Sequence, residues 1–277
     1  MMNKTSAMGN HPAGDTTMPA VPTLYQTMYA RQVFTTAEAA EALGRPSNQV
    51  ARQVSYLKSQ GYLVQVRRGL HAIVPIDARG SPPPPNPYLV ASKLTDPYVL
   101  SYHTALELHG VAQSTFYTVH VATSKRFRPF THRGVRFLAV RATPQEVKAA
   151  ATQLKLADQR VKVASREWTV AHCALRLDLA GGFEEFLKSV AGFAYLRPER
   201  LLEAATLLGR KILYHRLGFL LDTYRKRWHV STDDLDLFRA NLGDYTDYFG
   251  ARPGHARYVR EWNLMVPDNL EQVIRSG

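Results

Sequence analysis

The stretch from Phe34 to Val74, FTTAEAAEALGRPSNQVARQVSYLKSQGYLVQVRRGLHAIV, constrains the fold more than any other part of the chain. Thr35 stands at an N-cap position with Glu38 three residues on, the spacing of a reciprocal capping box. Ala37, Ala40 and Leu43 then form a stripe, and Gly44 supplies the left-handed residue that ends a helix. A second helix is predicted after Arg45-Pro46, with Ser47 as its cap and Gly61 beyond its end. Placed at 100° intervals, Val50, Val54 and Leu57 share one face, with Ala51 at its margin. The other arc holds Asn48, Gln49, Arg52, Gln53, Tyr56 and Ser59.

The residues that follow predict a hairpin. Tyr62–Val66 and Leu70–Val74 are rich in β-branched residues, and Arg67-Arg68-Gly69 joins them, with Gly69 free to take the positive φ of a tight turn. Leu24, Tyr25, Met28 and Tyr29 predict an earlier helix packed under the other two. Three helices and a basic hairpin make a winged helix-turn-helix. No Asp or Glu occurs from Arg45 to Ile76. A face of Asn, Gln and Arg without carboxylates suits base edges, and arginines at a hairpin tip suit phosphate or a minor groove.

The whole chain has 277 residues and a formal net charge of +12, which points to a polyanion or an acidic protein as partner. The excess is not confined to the first 80 residues. They hold eight Lys or Arg against four Asp or Glu, leaving 27 against 19 beyond them, of totals 35 and 23. A lone cysteine, Cys173, excludes an intrachain disulfide and a multi-thiolate zinc site; it reads as a small buried hydrophobe. No run approaches a membrane span, residues 1–22 lack the apolar core of a secretory signal, and a cytosolic protein is expected.

Four segments are predicted: a disordered tail over 1–22, the winged helix-turn-helix over 23–78, a stiff linker over 79–87 containing four consecutive prolines, and a mixed α/β domain over 88–277, mainly helical in its last third. The fold class is therefore α+β. Within the last segment, strands are expected at Phe116–Ala122, Val135–Val140 and Val161–Ala164, and helices at Trp168–Leu179, Phe183–Ala191, after Arg197-Pro198, Arg210–Trp228 and Thr232–Leu242. An irregular aromatic loop over Asp244–Pro253 and a closing strand over Trp262–Val266 complete it. The run Lys125, Arg126, Arg128 forms a second candidate basic surface, joined by Lys211, Arg225 and Lys226, which with His215 fall outside the apolar face of the longest helix.

Catalytic signatures are lacking. His103 and His109 are six apart, no HExxH occurs, and no glycine loop followed by lysine cradles a phosphate. Asp234-Leu235-Asp236 has the spacing of paired metal-binding acids but follows Ser231-Thr232-Asp233, where acids cap a helix. No enzyme activity, metal or cofactor is expected.

The ordered set of Ser101-Tyr102-His103-Thr104-Ala105-Leu106-Glu107-Leu108-His109-Gly110, Ala164-Ser165-Arg166-Glu167-Trp168, Gly181-Gly182, Arg216-Leu217-Gly218-Phe219-Leu220-Leu221 and Asn263-Leu264-Met265-Val266-Pro267, behind a winged helix, resembles the AbiEi family of bacterial antitoxins across most of residues 24–270. The resemblance implies an N-terminal domain that represses its own operon at inverted repeats in double-stranded DNA. It also implies a C-terminal domain that counters a nucleotidyltransferase toxin, in many members without stable contact. By that analogy Asn48, Gln49, Arg52, Gln53, Tyr56, Arg67 and Arg68 would read DNA. The opening tail and the tetraproline depart from the family pattern. Two other readings stay open: a ligand-responsive winged-helix regulator without a toxin, and a DNA-targeted enzyme.

Overall fold

The computed structural model describes residues 22–250 and 254–275; all but Pro22 of the expected tail, and part of the expected 244–253 loop, lie outside them. The chain begins α1 (Thr23–Tyr29), β1 (Val33–Thr35), α2 (Thr36–Leu43), α3 (Ser47–Ser59), β2 (Leu63–Arg67), β3 (Leu70–Ile73). The capping box forms as its spacing dictates: Thr35 accepts from the Glu38 amide, and the Glu38 carboxylate accepts from the Thr35 amide at 2.8 Å. Gly44 ends α2 at φ +59°. Two expectations need correction here. Ala39 and Ala40 carry the buried face of α2 and Ala37 is exposed, and α3 is led by Pro46 with no side-chain cap.

One sheet, in the order β1-β3-β2, closes this N-terminal module, with β3 antiparallel to both neighbours. Leu24, Tyr25, Met28, Phe34, Val50, Val54 and Leu57 form its own core. This sheet has a second allegiance, for Val33 of β1 and Val66, Leu70 and Ala72 of the hairpin belong to the core of the rest of the chain. The proline segment therefore does not hold the module at a distance. Pro83, Pro84 and Pro85 line a cleft with Tyr29, Val33 and Ile73, and Lys93 bonds Glu38 at 2.6 Å across the junction.

Next come α4 (Pro87–Ser92), β4 (Tyr98–Leu100), α5 (His103–Leu108), β5 (Thr118–Thr123), β6 (Phe130–His132), β7 (Val135–Arg141), α6 (Pro144–Ala150), β8 (Ala151–Leu156) and β9 (Gln159–Ala164). The six strands make one mixed sheet in the order β6-β7-β5-β4-β9-β8. The β5–β7 and β4–β9 pairs are parallel and the other three antiparallel. The chain then turns helical: α7 (Arg166–Leu175), α8 (Phe183–Ala191), α9 (Pro198–Leu208), α10 (Ile212–Thr223), α11 (Arg225–Trp228), α12 (Thr232–Arg239). A three-stranded sheet of β10 (Asp247–Tyr248), β11 (Ala256–Val259) and β12 (Leu264–Pro267), in the order β10-β12-β11, and α13 (Leu270–Arg275) complete the α+β fold.

Several boundaries differ from expectation. The helix predicted over 168–179 is α7 followed by a 3-10 turn at Leu177–Leu179. The predicted longest helix breaks at Tyr224 into α10 and α11. Trp262 sits in a 3-10 turn ahead of β12 rather than in the strand. His215, expected outside the apolar face, is fully buried. Its Nδ1 lies 2.9 Å from the Trp262 carbonyl and its Nε2 accepts from the Gly243 amide at 2.9 Å, stitching α10 to the closing sheet. Cys173 is buried, as a small hydrophobe should be, and burial pushes its thiol pKa up. Asp234 caps α12, accepting from the Ser231 amide at 2.9 Å, and Asp236 pairs with Arg239. Among the described residues no helix is long and apolar enough to cross a membrane.

Candidate nucleic-acid interface

Burial of Val50, Val54 and Leu57 turns the opposite arc of α3 outward. Asn48, Gln49, Arg52 and Tyr56 are exposed, Tyr56 to 60%, and Gln53 is partly covered. Neither Arg52 nor Arg68 has an ion-pair partner among the described residues. Lys58 is committed elsewhere, its Nζ bonding Gln65 Oε1 at 2.9 Å and fastening α3 to β2. The module holds two carboxylates before Asp77, those of Glu38 and Glu41. Glu38 is occupied by Thr35 and Lys93, and those bonds hold its carboxyl below the ordinary value although burial opposes them. His71 on β3 lies 3.1 Å from Thr36 Oγ1, and burial pushes its pKa down to about 4. It adds no charge near neutrality. The outward face of α3 thus offers amide and guanidinium donors with little competing anion, suited to base edges and phosphates.

The two hairpin arginines, grouped together by sequence, have separate surroundings. Arg68 lies in the exposed turn beside Gly69, whose φ is +76°. Arg67 ends β2 with its guanidinium 5.1 Å from the centre of the Phe130 ring on β6. Arg67 is therefore partly spent on docking the hairpin against the six-stranded sheet, whereas Arg68 at the tip has no ion-pair partner among the described residues. Pattern reading missed Phe130, because a contact across 63 positions leaves no local signal.

The second candidate basic surface divides. Lys125, Arg126 and Arg128 are exposed on the loop between β5 and β6, and Lys211 and Lys226 are exposed around α10 and α11. Arg225 is a structural residue: it donates to the Val230 carbonyl at 3.2 Å and to Thr232 Oγ1 at 2.7 Å, locking α11 onto the start of α12.

A buried polar cluster within Ser101–Gly110 also escaped notice. His103, fully buried, has Nε2 at 3.2 Å from Glu185 and Nδ1 at 3.4 Å from Glu107. Glu185 also accepts from the Gln113 and Ser114 amides, and Glu107 from the Phe116 amide and Tyr88 hydroxyl. The two acids hold the 111–117 loop and the imidazole fills the space between them. The i, i+4 spacing of His103 and Glu107 was the one clue available in the sequence.

Fold and site together define an α+β protein whose N-terminal helices and hairpin present a carboxylate-poor, donor-rich face, docked on a larger mixed-sheet and helical body. No family model matches the chain, and no curated protein matches it. The structure is similar to the crystal structure of the RV2827C protein from Mycobacterium tuberculosis, with a TM-score of 0.61 and 17% identity over 92% of this chain and 95% of that one. At that identity the likeness is one of fold.

Proposed function

We propose that the chain is a DNA-binding antitoxin, whose N-terminal module is a winged helix that represses its own operon while the body after Tyr88 counters a nucleotidyltransferase toxin. The observation that carries the DNA half is the outward face of α3: Asn48, Gln49, Arg52 and Tyr56 are exposed, as is Arg68 in the hairpin turn, with no carboxylate between Arg45 and Ile76. The helix would lie in a major groove and the hairpin along a phosphate strand. The antitoxin half rests on the ordered motifs that resemble the AbiEi family, and it calls for binding rather than catalysis. A gel-shift assay on the chain's own promoter tests the first half. The wild type is expected to bind an inverted repeat, and Gln49→Ala with Arg52→Ala to lose at least about tenfold in affinity, at 1–3 kcal/mol per base contact; equal binding by this variant rejects the assignment. Co-expression with the neighbouring gene, scored as growth, tests the second half. Failure to protect cells from a toxic neighbour leaves the ligand-responsive regulator as the better reading.

A further inference from the structure

Between Glu107 and Glu146 the chain contains no Asp or Glu but holds Lys125, Arg126, Arg128, Arg133, Arg136 and Arg141. Three of these, Lys125, Arg126 and Arg141, line one cleft of about 630 Å³ together with Ser124, Phe127, Pro129 and Ala139. The topology explains the convergence. β5 and β7 are parallel neighbours, and Thr123 and Arg141 pair at their carboxyl ends. The loop leaving β5 carries Lys125 and Arg126 past the end of β7, so residues 15 or more positions apart meet at one mouth. Thr123 pins the start of that loop, donating its hydroxyl to the Pro97 carbonyl at 2.7 Å and accepting from the Lys125 amide at 3.1 Å. The crevice beyond the carboxyl ends of parallel strands is where open α/β sheets commonly take ligands.

None of the three cations has a carboxylate partner among the described residues. The Arg126 and Phe127 amides likewise have no acceptor among them. Like charges gathered in a cleft repel one another and focus a positive potential that a multiply charged anion relieves. Arginine forks favour the oxygens of phosphate, and the partly buried Phe127 with Pro129 and Ala139 gives the cleft an apolar side. Its volume lies within the range of small-molecule sites. We propose that this cleft binds a phosphorylated small molecule of the nucleotide class, its phosphate held by Lys125, Arg126 and Arg141. The residue after Pro129 is Phe130, which carries the Arg67 guanidinium, so the cleft adjoins the contact that docks the tip end of the hairpin.

Calorimetric titration of the full chain with AMP, inorganic pyrophosphate and adenosine tests the proposal. AMP and pyrophosphate are expected to bind and adenosine to bind at least about tenfold more weakly. Each lost charge-assisted contact is expected to cost roughly tenfold, so Arg141→Gln on β7 should weaken binding about tenfold and Lys125→Gln with Arg126→Gln on the loop about a hundredfold. These side chains are exposed, so melting temperatures should be unchanged. No heat with AMP or pyrophosphate, or wild-type affinity in both variants, overturns the proposal. If those two ligands fail to bind while the loop variant flattens the salt dependence of promoter binding, the cations serve duplex DNA instead and the small-molecule site is likewise rejected. Because the titration contains no DNA, its outcome is independent of the α3 assignment.

Discussion

The separation of Arg68 from Arg67 predicts that two adjacent arginine-to-alanine changes act on different properties. Arg68 is exposed in the hairpin turn with no protein partner among the described residues, so Arg68→Ala removes a cation without leaving a hole. If that cation meets one phosphate, the plot of log K against log salt becomes shallower by about 0.9. Over a fourfold rise in salt this means that the wild type loses about 3.5-fold more affinity than the variant, fourfold raised to the power 0.9. Arg67→Ala instead removes the guanidinium that lies over Phe130. An exposed cation–π contact is worth about 0.5–1 kcal/mol, so this variant should lower the urea midpoint and change the salt slope little. Fluorescence anisotropy on a labelled promoter duplex at four salt concentrations, with urea melts of both variants, reads both effects. An unchanged slope in Arg68→Ala together with a flattened one in Arg67→Ala would refute the assignment of the two arginines.

The buried imidazoles predict acid sensitivity well above the carboxylate range. His71, His120 and His172 are each pushed down to about 4 by burial. The unfolded chain takes up these protons near pH 6.5 and the folded chain does not until about 4, so stability complete above about 6.5 is lost as pH falls toward 4. Three such groups remove about 4 kcal/mol between pH 7 and 5.5; equal urea midpoints at those two values would contradict this. Arg216, nearly buried, donates to Asp247 at 2.7 Å, to the Ala174 carbonyl at 2.6 Å and to the Tyr248 carbonyl at 3.3 Å. Arg216→Met strands the Asp247 charge and should cost about 3–5 kcal/mol, partly recovered by adding Asp247→Asn; a loss below 1 kcal/mol in urea melts would show the pair to be dispensable. Gly218→Ala drives a Cβ into the Trp262 ring, and overpacking of that kind should lower stability by about 1–3 kcal/mol or more and shift the tryptophan emission; wild-type melting would mean that α10 and the closing segment part freely.

The N-terminal module was largely legible because its signals are short-range. The capping box of α2 involves Thr35 and Glu38, the turn needs Gly69, and the face of α3 follows from 3.6-residue periodicity. Legibility fell where a pattern fits two outcomes. An apolar stripe continues through Leu221 and Trp228 whether or not the helix breaks at Tyr224. Likewise Ala151–Leu156 reads as no particular element until β9 lies beside it.

Among the candidate residues, Asn48, Gln49, Arg52 and Tyr56 stand outward because buried positions in their own helix leave them no other direction. The contacts of Arg67, Arg225 and His215 left no local signal, since their partners Phe130, Thr232 and Trp262 come from other elements. What the amino-acid order determined by itself is each element whose free energy is set within about four residues: caps, turns and helix faces. Tertiary structure alone decided the strand order β6-β7-β5-β4-β9-β8, the sharing of the hairpin between two cores, and the meeting of Arg141 with Lys125 and Arg126. Parallel pairing and interdomain packing are contests between distant segments, settled by the area they bury together.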